Sequence, residues 1–221
     1  MPTFAIGDIH GCLTALQTLA ATVPFKAKDK LIVLGDYVDK GPDTAGVLDW
    51  LCDRWAGGNL VALLGNHDLL MLEARESAAN FDVWMDCNGH TTLASYDLPL
   101  RRASLDKIPK KHWKFLESTE LYYENKTHFY VHGNVDPDLP LKKQPEYLLL
   151  WEKFYDPSPH MSGKTMVCGH TSQKDGHIDD IGHAVCIDTY ACGGQWLTAL
   201  DPETGKLWQA NQDGQTQTAK R

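Results

Sequence analysis

Asp8, His10, Asp36, Asn66, His67, His132 and His170 each stand in a short polar stretch that directly follows an apolar run. The stretches are Gly7-Asp8-Ile9-His10-Gly11, Gly35-Asp36-Tyr37-Val38-Asp39-Lys40-Gly41, Gly65-Asn66-His67-Asp68, His132-Gly133-Asn134 and Gly169-His170-Thr171. Carboxylate, imidazole and amide oxygen together suit hard-to-borderline divalent ions such as Mn²⁺, Fe²⁺ or Zn²⁺. The chemistry open to such a set is therefore divalent-metal ligation. Flanking glycines let the backbone turn sharply enough to bring these side chains to an ion.

The elements that must position them are legible as periodicity. Phe4-Ala5-Ile6, Leu31-Ile32-Val33-Leu34 and Leu60-Val61-Ala62-Leu63-Leu64 read as buried strands ending in polar loops, with helical stretches over 13–22 and 44–55 between them. That alternation predicts a mainly parallel sheet in the first part of the chain, whose loops gather at the carboxyl ends of the strands. A helix is expected over 69–75, and an irregular helical segment over 81–115 that could cap the site. Further core strands are expected at 129–131, 166–168 and 184–187, with a closing hairpin built from 195–200 and 206–209. One domain over 1–210 is expected, with a polar tail over 211–221 left to fray.

Bulk properties narrow the class. The chain of 221 residues is 43% hydrophobic and 23% charged, which is globular, and no apolar run approaches the roughly 18 residues of a membrane span. The first residues lead straight into a strand without a basic leader, so a cytoplasmic location is expected. Six cysteines form no Cys-x-x-Cys pair and suit a reducing compartment without disulfides. A net charge of −8 argues against nucleic acid as the partner but not against a phosphorylated one, because bound divalent cations reverse the local field. No membrane partner is expected, and nothing indicates an oligomeric state.

In order along the chain, GDIHG, GDYVDKG, GNHD, HG and GH resemble the metal-dependent phosphoprotein phosphatases of the calcineurin-like phosphoesterase superfamily. The chain's size and the run Trp84-Met85-Asp86-Cys87-Asn88-Gly89 are similar to the compact phage and bacterial branch. The resemblance implies an α/β fold of central mixed β-sheets flanked by helices, with an irregular helical cap. It also implies two divalent metal ions, manganese in the first place, with iron or zinc as alternatives. Asp8, His10 and Asp36 would hold one ion. Asp36 would bridge to the other, which Asn66, His132 and His170 would complete. Sharing one carboxylate partly offsets the repulsion between two dications, and a water between them should lose its proton near neutral pH. His67 would protonate the leaving oxygen, and Asp39 would orient that histidine.

Three positions depart from the family pattern, two of them among the candidates for binding phosphate. Lys40 and Lys153 stand where arginines are usual, and with Asn66 they are the candidates for binding phosphate oxygens. A lysine offers a point charge rather than a bidentate fork, so weaker geometric control of phosphate is expected. Asp68 replaces the commoner glutamate, with a role outside the ligand set. Tyr190 could line the cleft or pack on Trp196. His90, His112, His128, His160, His177 and His183 follow no motif and are expected on the surface or in ordinary packing, as Trp84, Trp113, Tyr122 and Tyr123 are expected in core or cap.

The implied activity is hydrolysis of phosphoserine or phosphothreonine in proteins, with phosphotyrosine and small phosphomonoesters in range. The alternative is a bis(5'-nucleosyl)-tetraphosphatase, a branch that shares the three leading motifs. It would have to grip a second nucleotide, and no separate basic or glycine-rich element for one stands out. A non-catalytic scaffold should lack ligands or the acid; here all are present.

Overall fold

Strand β1 (Thr3–Ile6) lies parallel to β2 (Lys30–Val33), which in turn lies parallel to β3 (Leu60–Ala62), and helices α1 (Leu13–Thr22) and α2 (Thr44–Ala56) make the crossovers. The computed structural model describes residues 2–26 and 28–221. Both faces of these strands are covered, as their unbroken apolar sequences require. Phe4, Ile6, Leu31 and Val33 face the helical layer, whereas Ala5, Ile32 and Leu34 face a second sheet. Asp43 caps α2 by accepting the Gly46 N–H at 2.8 Å, a bond of the kind that stabilises a helix start by about 1 kcal/mol.

The second sheet repeats the design. Strands β5 (His128–Val131), β6 (Thr165–Cys168) and β8 (Ala184–Cys186) are parallel, with β4 (Tyr122–Glu124) and β7 (Asp179–Asp180) antiparallel at its edges. Tyr130, Val167, Val185 and Ile187 point inward to meet Ala5, Ile32 and Leu34. Phe129, Val131, Met166 and Cys168 point outward, under Leu149 of α7 (Glu146–Trp151). The layers therefore run helix, sheet, sheet, helix.

The first sheet is completed by β9 (Leu197–Asp201), β10 (Lys206–Ala210) and β11 (Thr216–Lys220), giving the order β11-β10-β9-β1-β2-β3. The expected hairpin is β9–β10. The tail expected to fray instead turns at Asn211, whose Oδ1 accepts the Gln215 N–H at 2.9 Å, and pairs β11 with β10 over five residues. Its side chains are all exposed, so the backbone ladder rather than apolar burial holds it.

Between β3 and β4 lie α3 (Asn66–Glu73), α4 (Ala78–Trp84), a π-turn (Met85–Gly89), α5 (His90–Ser95), a 3-10 turn (Arg102–Lys107) and α6 (Lys110–Leu116). Helix α3 starts three residues before the expected 69, because Asp68 reaches back to accept the Gly65 N–H at 3.0 Å. The irregular segment is no detached lid. Trp84, Leu93, Leu105, Trp113 and Phe115 share one core with α1 and α2. All six cysteines are free thiols, and no helix among the described residues is long and apolar enough to cross a membrane.

Candidate metal centre

Six parallel strands, three in each sheet, end at one seam. β1 delivers Asp8 and His10, β2 delivers Asp36, β3 delivers Asn66 and His67, β5 delivers His132, β6 delivers His170 and β8 delivers Asp188. The approach is tight enough to require glycine at position 35. Its φ is +100°, and a Cβ there would lie 2.6 Å from Gly65 N and 2.9 Å from His132 Nδ1.

Three imidazoles share one arrangement. His10 Nδ1 lies 2.8 Å from the Val38 carbonyl, His132 Nδ1 lies 2.8 Å from the Leu34 carbonyl, and His170 Nε2 lies 3.1 Å from the Trp151 carbonyl. A carbonyl only accepts, so each of those nitrogens donates, and in the neutral ring the other nitrogen is the one that turns its lone pair to the seam. His10 Nε2 is 3.1 Å from Asp36 Oδ2, while His132 Nε2 and His170 Nδ1 are each 3.0 Å from Asn66 Oδ1. Burial lowers the pKa of His132, and it lowers His170 to about 4 with help from His132. Neutral rings with one nitrogen held from behind are in the state that binds a metal ion.

The carboxylates divide. Asp36 is buried, which by itself would raise its pKa, but His132, His67 and His10 around it bring it well below the usual carboxylate range. Asp8 goes the other way, raised by burial and by the neighbouring Asp188 and Asp36. Its oxygens accept the His170 backbone N–H at 3.0 and 3.2 Å. Buried like charges this close call for a cation between them.

Two groups of ligand atoms could each hold an ion, and they share Asp36. One joins His10, Asp36 and His67; the other joins Asp36, His132 and His170, with ligand atoms in each within 4.8 Å of one another. Asn66 belongs beside the second through its Oδ1. Oxygen and imidazole donors in this mixture fit Mn²⁺, Fe²⁺ or Zn²⁺. His67 enters the first group where Asp8 was expected, although its Nδ1 is committed to Asp39 Oδ2 at 2.9 Å.

The remaining candidates separate. Lys40 is exposed, and its Nζ lies 2.9 Å from His10 Nε2, at the seam. Lys153 is exposed too; its carbonyl accepts from Asn134 Nδ2 at 2.9 Å, but no hydrogen bond or ion pair of its ammonium occurs among the described residues. The backbone is bent to serve the site. His10, Asp36, Asp39, Lys40, His170 and Tyr190 all have left-handed φ between 43° and 68°, at about 1–2 kcal/mol each for a residue with a Cβ. Tyr190 forms a bridge with Trp196, and its ring fills the space where Gly193 lacks a side chain.

Sequence reasoning passed over several supports. Asp188 is buried, accepting from Ser172 Oγ at 2.6 Å and from the Tyr190 N–H at 3.0 Å. Its only sequence signal was a place directly after an apolar run. Trp84 and Thr92 donate to Asp39, so Trp84 has a polar contact as well as its place in the core. Among the unassigned histidines, His112, His128 and His160 are buried in packing, whereas His90 and His177 are exposed and His183 is half-buried.

A family model described as calcineurin-like phosphoesterase matches residues 1–190. A symmetrical bis(5'-nucleosyl)-tetraphosphatase of Pseudomonas fluorescens is 33% identical over 144 residues, which are 65% of this chain and 46% of that protein. The match thus spans about half the length of that relative. Among solved structures, a candidate diadenosine tetraphosphatase aligns with a TM-score of 0.66 at 22% identity, covering 99% of this chain and 92% of the other. A cold-active protein-tyrosine phosphatase of a psychrophilic Shewanella aligns with a TM-score of 0.62 at 19% identity, covering 98% and 79%. These two likenesses establish the fold.

Proposed function

The chain belongs to the calcineurin-like phosphoesterase family, and from that membership we propose that it hydrolyses bis(5'-nucleosyl) tetraphosphates in the presence of two divalent ions. The chemistry rests on one observation above all: the carboxylate of Asp36 is common to both groups of ligand atoms. The substrate class rests on the tetraphosphatase similarity, which spans 65% of the chain. This reverses the preference drawn from the motifs alone, which put phosphoproteins first.

In this reading Asp8, His10 and Asp36 hold one ion, and Asp36, Asn66, His132 and His170 hold the other. When bound, the ions would polarise phosphoryl oxygens as Lewis acids and supply a water nucleophile active at neutral pH. The chain's own groups do the rest. Carbonyls behind His10, His132 and His170 hold one ring nitrogen of each from behind, which leaves the other nitrogen facing the seam as the one available to an ion. His67, with Nδ1 on Asp39, presents Nε2 to the leaving oxygen and donates a proton there. Demand for that proton rises with the basicity of the leaving group. Lys40 and the Asn66 amide bind phosphate oxygens, and Lys153 adds a second positive charge from the rim.

Product analysis tests the assignment. With Mn²⁺ supplied, diadenosine tetraphosphate should yield ADP, and a chelator should stop the reaction. Inorganic phosphate from a phosphoserine peptide, with the dinucleotide left intact, would overturn the substrate and return the phosphoprotein reading.

A further inference from the structure

Asp39 is wholly buried, and three side chains from distant parts of the chain converge on its carboxylate. His67 Nδ1 lies 2.9 Å from Oδ2, Trp84 Nε1 is 3.1 Å from each oxygen, and Thr92 Oγ1 is 2.7 Å from Oδ1. Thr92 Oγ1 also accepts the backbone N–H of Asp39 at 2.9 Å and lies 3.2 Å from Thr44 Oγ1. One hydroxyl thus orients the carboxylate and holds Asp39 in its left-handed backbone conformation, φ 68°.

The segment that carries these donors is built for them. Trp84 ends α4 where the chain enters the π-turn, in which Asn88 adopts φ 75°. A Cβ on Gly89 would fall 2.5 Å from the indole, so the turn packs directly against the ring. The non-helical angles of Cys87 and Asn88 put a kink between α4 and α5. Here the turn lets Trp84 and Thr92, eight positions apart, meet one carboxylate.

We propose that Trp84 and Thr92 are positioning residues: they hold the Asp39 carboxylate so that it sets the plane of the His67 ring, with Nδ1–H on Asp39 and Nε2 toward the leaving oxygen. Without them Asp39 could turn to share its oxygens differently, and the His67 ring would lose its orientation. This rests on the reading of His67 as the proton donor. A purely packing role for the helical insertion would not need the indole N–H or the threonine hydroxyl.

The test compares Trp84→Phe, which keeps an aromatic ring but removes the N–H, with Thr92→Val and Thr92→Ser. Turnover of phenyl phosphate, whose leaving group needs a proton, is measured beside p-nitrophenyl phosphate, whose leaving group hardly does. Metal content and melting temperature are recorded for every protein. Trp84→Phe and Thr92→Val should lose roughly 10–100-fold in kcat on phenyl phosphate. They should stay within about threefold of wild type on p-nitrophenyl phosphate, with KM and bound metal unchanged, and Thr92→Ser should restore the rate. Equal losses on both substrates, or none on either, overturn the proposal. His67→Asn separates the two claims. If it shows no leaving-group dependence, the proton-donor reading fails and the positioning role falls with it. If it does and Trp84→Phe does not, only the positioning role fails. Should Thr92→Val not fold, Trp84→Phe decides.

Discussion

The carboxylate of Asp68 accepts the backbone N–H of Asp36 at 2.8 Å, tying the loop after β2 to the first turn of α3. The same carboxylate accepts the N–H groups of Tyr37 and Gly65, each at 3.0 Å. Burial and the Asp36 charge push its pKa up, while these three donors act to keep it ionised. Through them it holds Asp36, the carboxylate common to both ligand groups, in a left-handed conformation.

Asp68→Ala should therefore do more than destabilise. Leaving three buried N–H groups without a partner should cost about 2–4 kcal/mol, measured by urea denaturation. Displacing Asp36 should also weaken metal binding tenfold or more, the scale seen when a group supporting a ligand is lost. Titration with Mn²⁺ at a temperature where the variant is folded checks this. Wild-type affinity alongside lowered stability would separate Asp68 from the site.

Metal stoichiometry tests the sharing itself. Asp36→Asn should reduce both ions, whereas His132→Ala or His170→Ala should leave about one ion per chain. Elemental analysis after dialysis decides, and an Asp36→Asn protein that keeps two ions would refute a shared carboxylate.

Lys40 is expected to act on the substrate rather than on the fold, because its side chain is exposed while its ammonium reaches His10. Lys40→Ala should raise KM about tenfold or more, the scale of a lost charge-assisted bond. Lys40→Arg should lower KM or raise kcat by restoring a fork geometry. An enzyme indifferent to both changes would place Lys40 outside the phosphate site.

Acid stability should depend on His112. Its ring is buried between Tyr96 Oη, 2.6 Å from Nδ1, and Asp49 Oδ1, 2.9 Å from Nε2. Burial lowers its pKa despite Asp49. The unfolded chain therefore takes up this proton first, near pH 6.5, and the folded chain only at lower pH. Stability from this group is present above about pH 6.5 and is lost as pH falls from there toward the folded pKa, at no more than about 1.4 kcal/mol per pH unit. Urea midpoints between pH 7.5 and 5.5 should fall less in His112→Gln than in wild type; parallel curves would rule the histidine out.

The local order of the site was legible because each motif residue follows an unbroken apolar run. A buried parallel strand requires such a run, and its carboxyl end must expose polar groups. Asp8, Asp36, Asn66, His132 and His170 could thus be placed at strand ends from the sequence alone. The strands that escaped notice, β4, β7 and β11, all lie at sheet edges, where a partner on one side suffices and the apolar signal fades. Thr216 to Lys220 is polar and fully exposed, and only its ladder with β10 makes it a strand.

Residue types and spacing by themselves determined the alternation of strands and helices, the donor chemistry and the family. Tertiary structure alone decided that two separate sheets bring their loops to one seam, that Asp68 grips Asp36, and that Trp84 and Thr92 reach Asp39 across 45 and 53 positions. The physical reason is the range of each signal. Periodicity records which face of an element is buried, a property of neighbours within a few residues. The identity of what covers that face depends on contacts between segments far apart in the chain, which exist only once the whole core has closed.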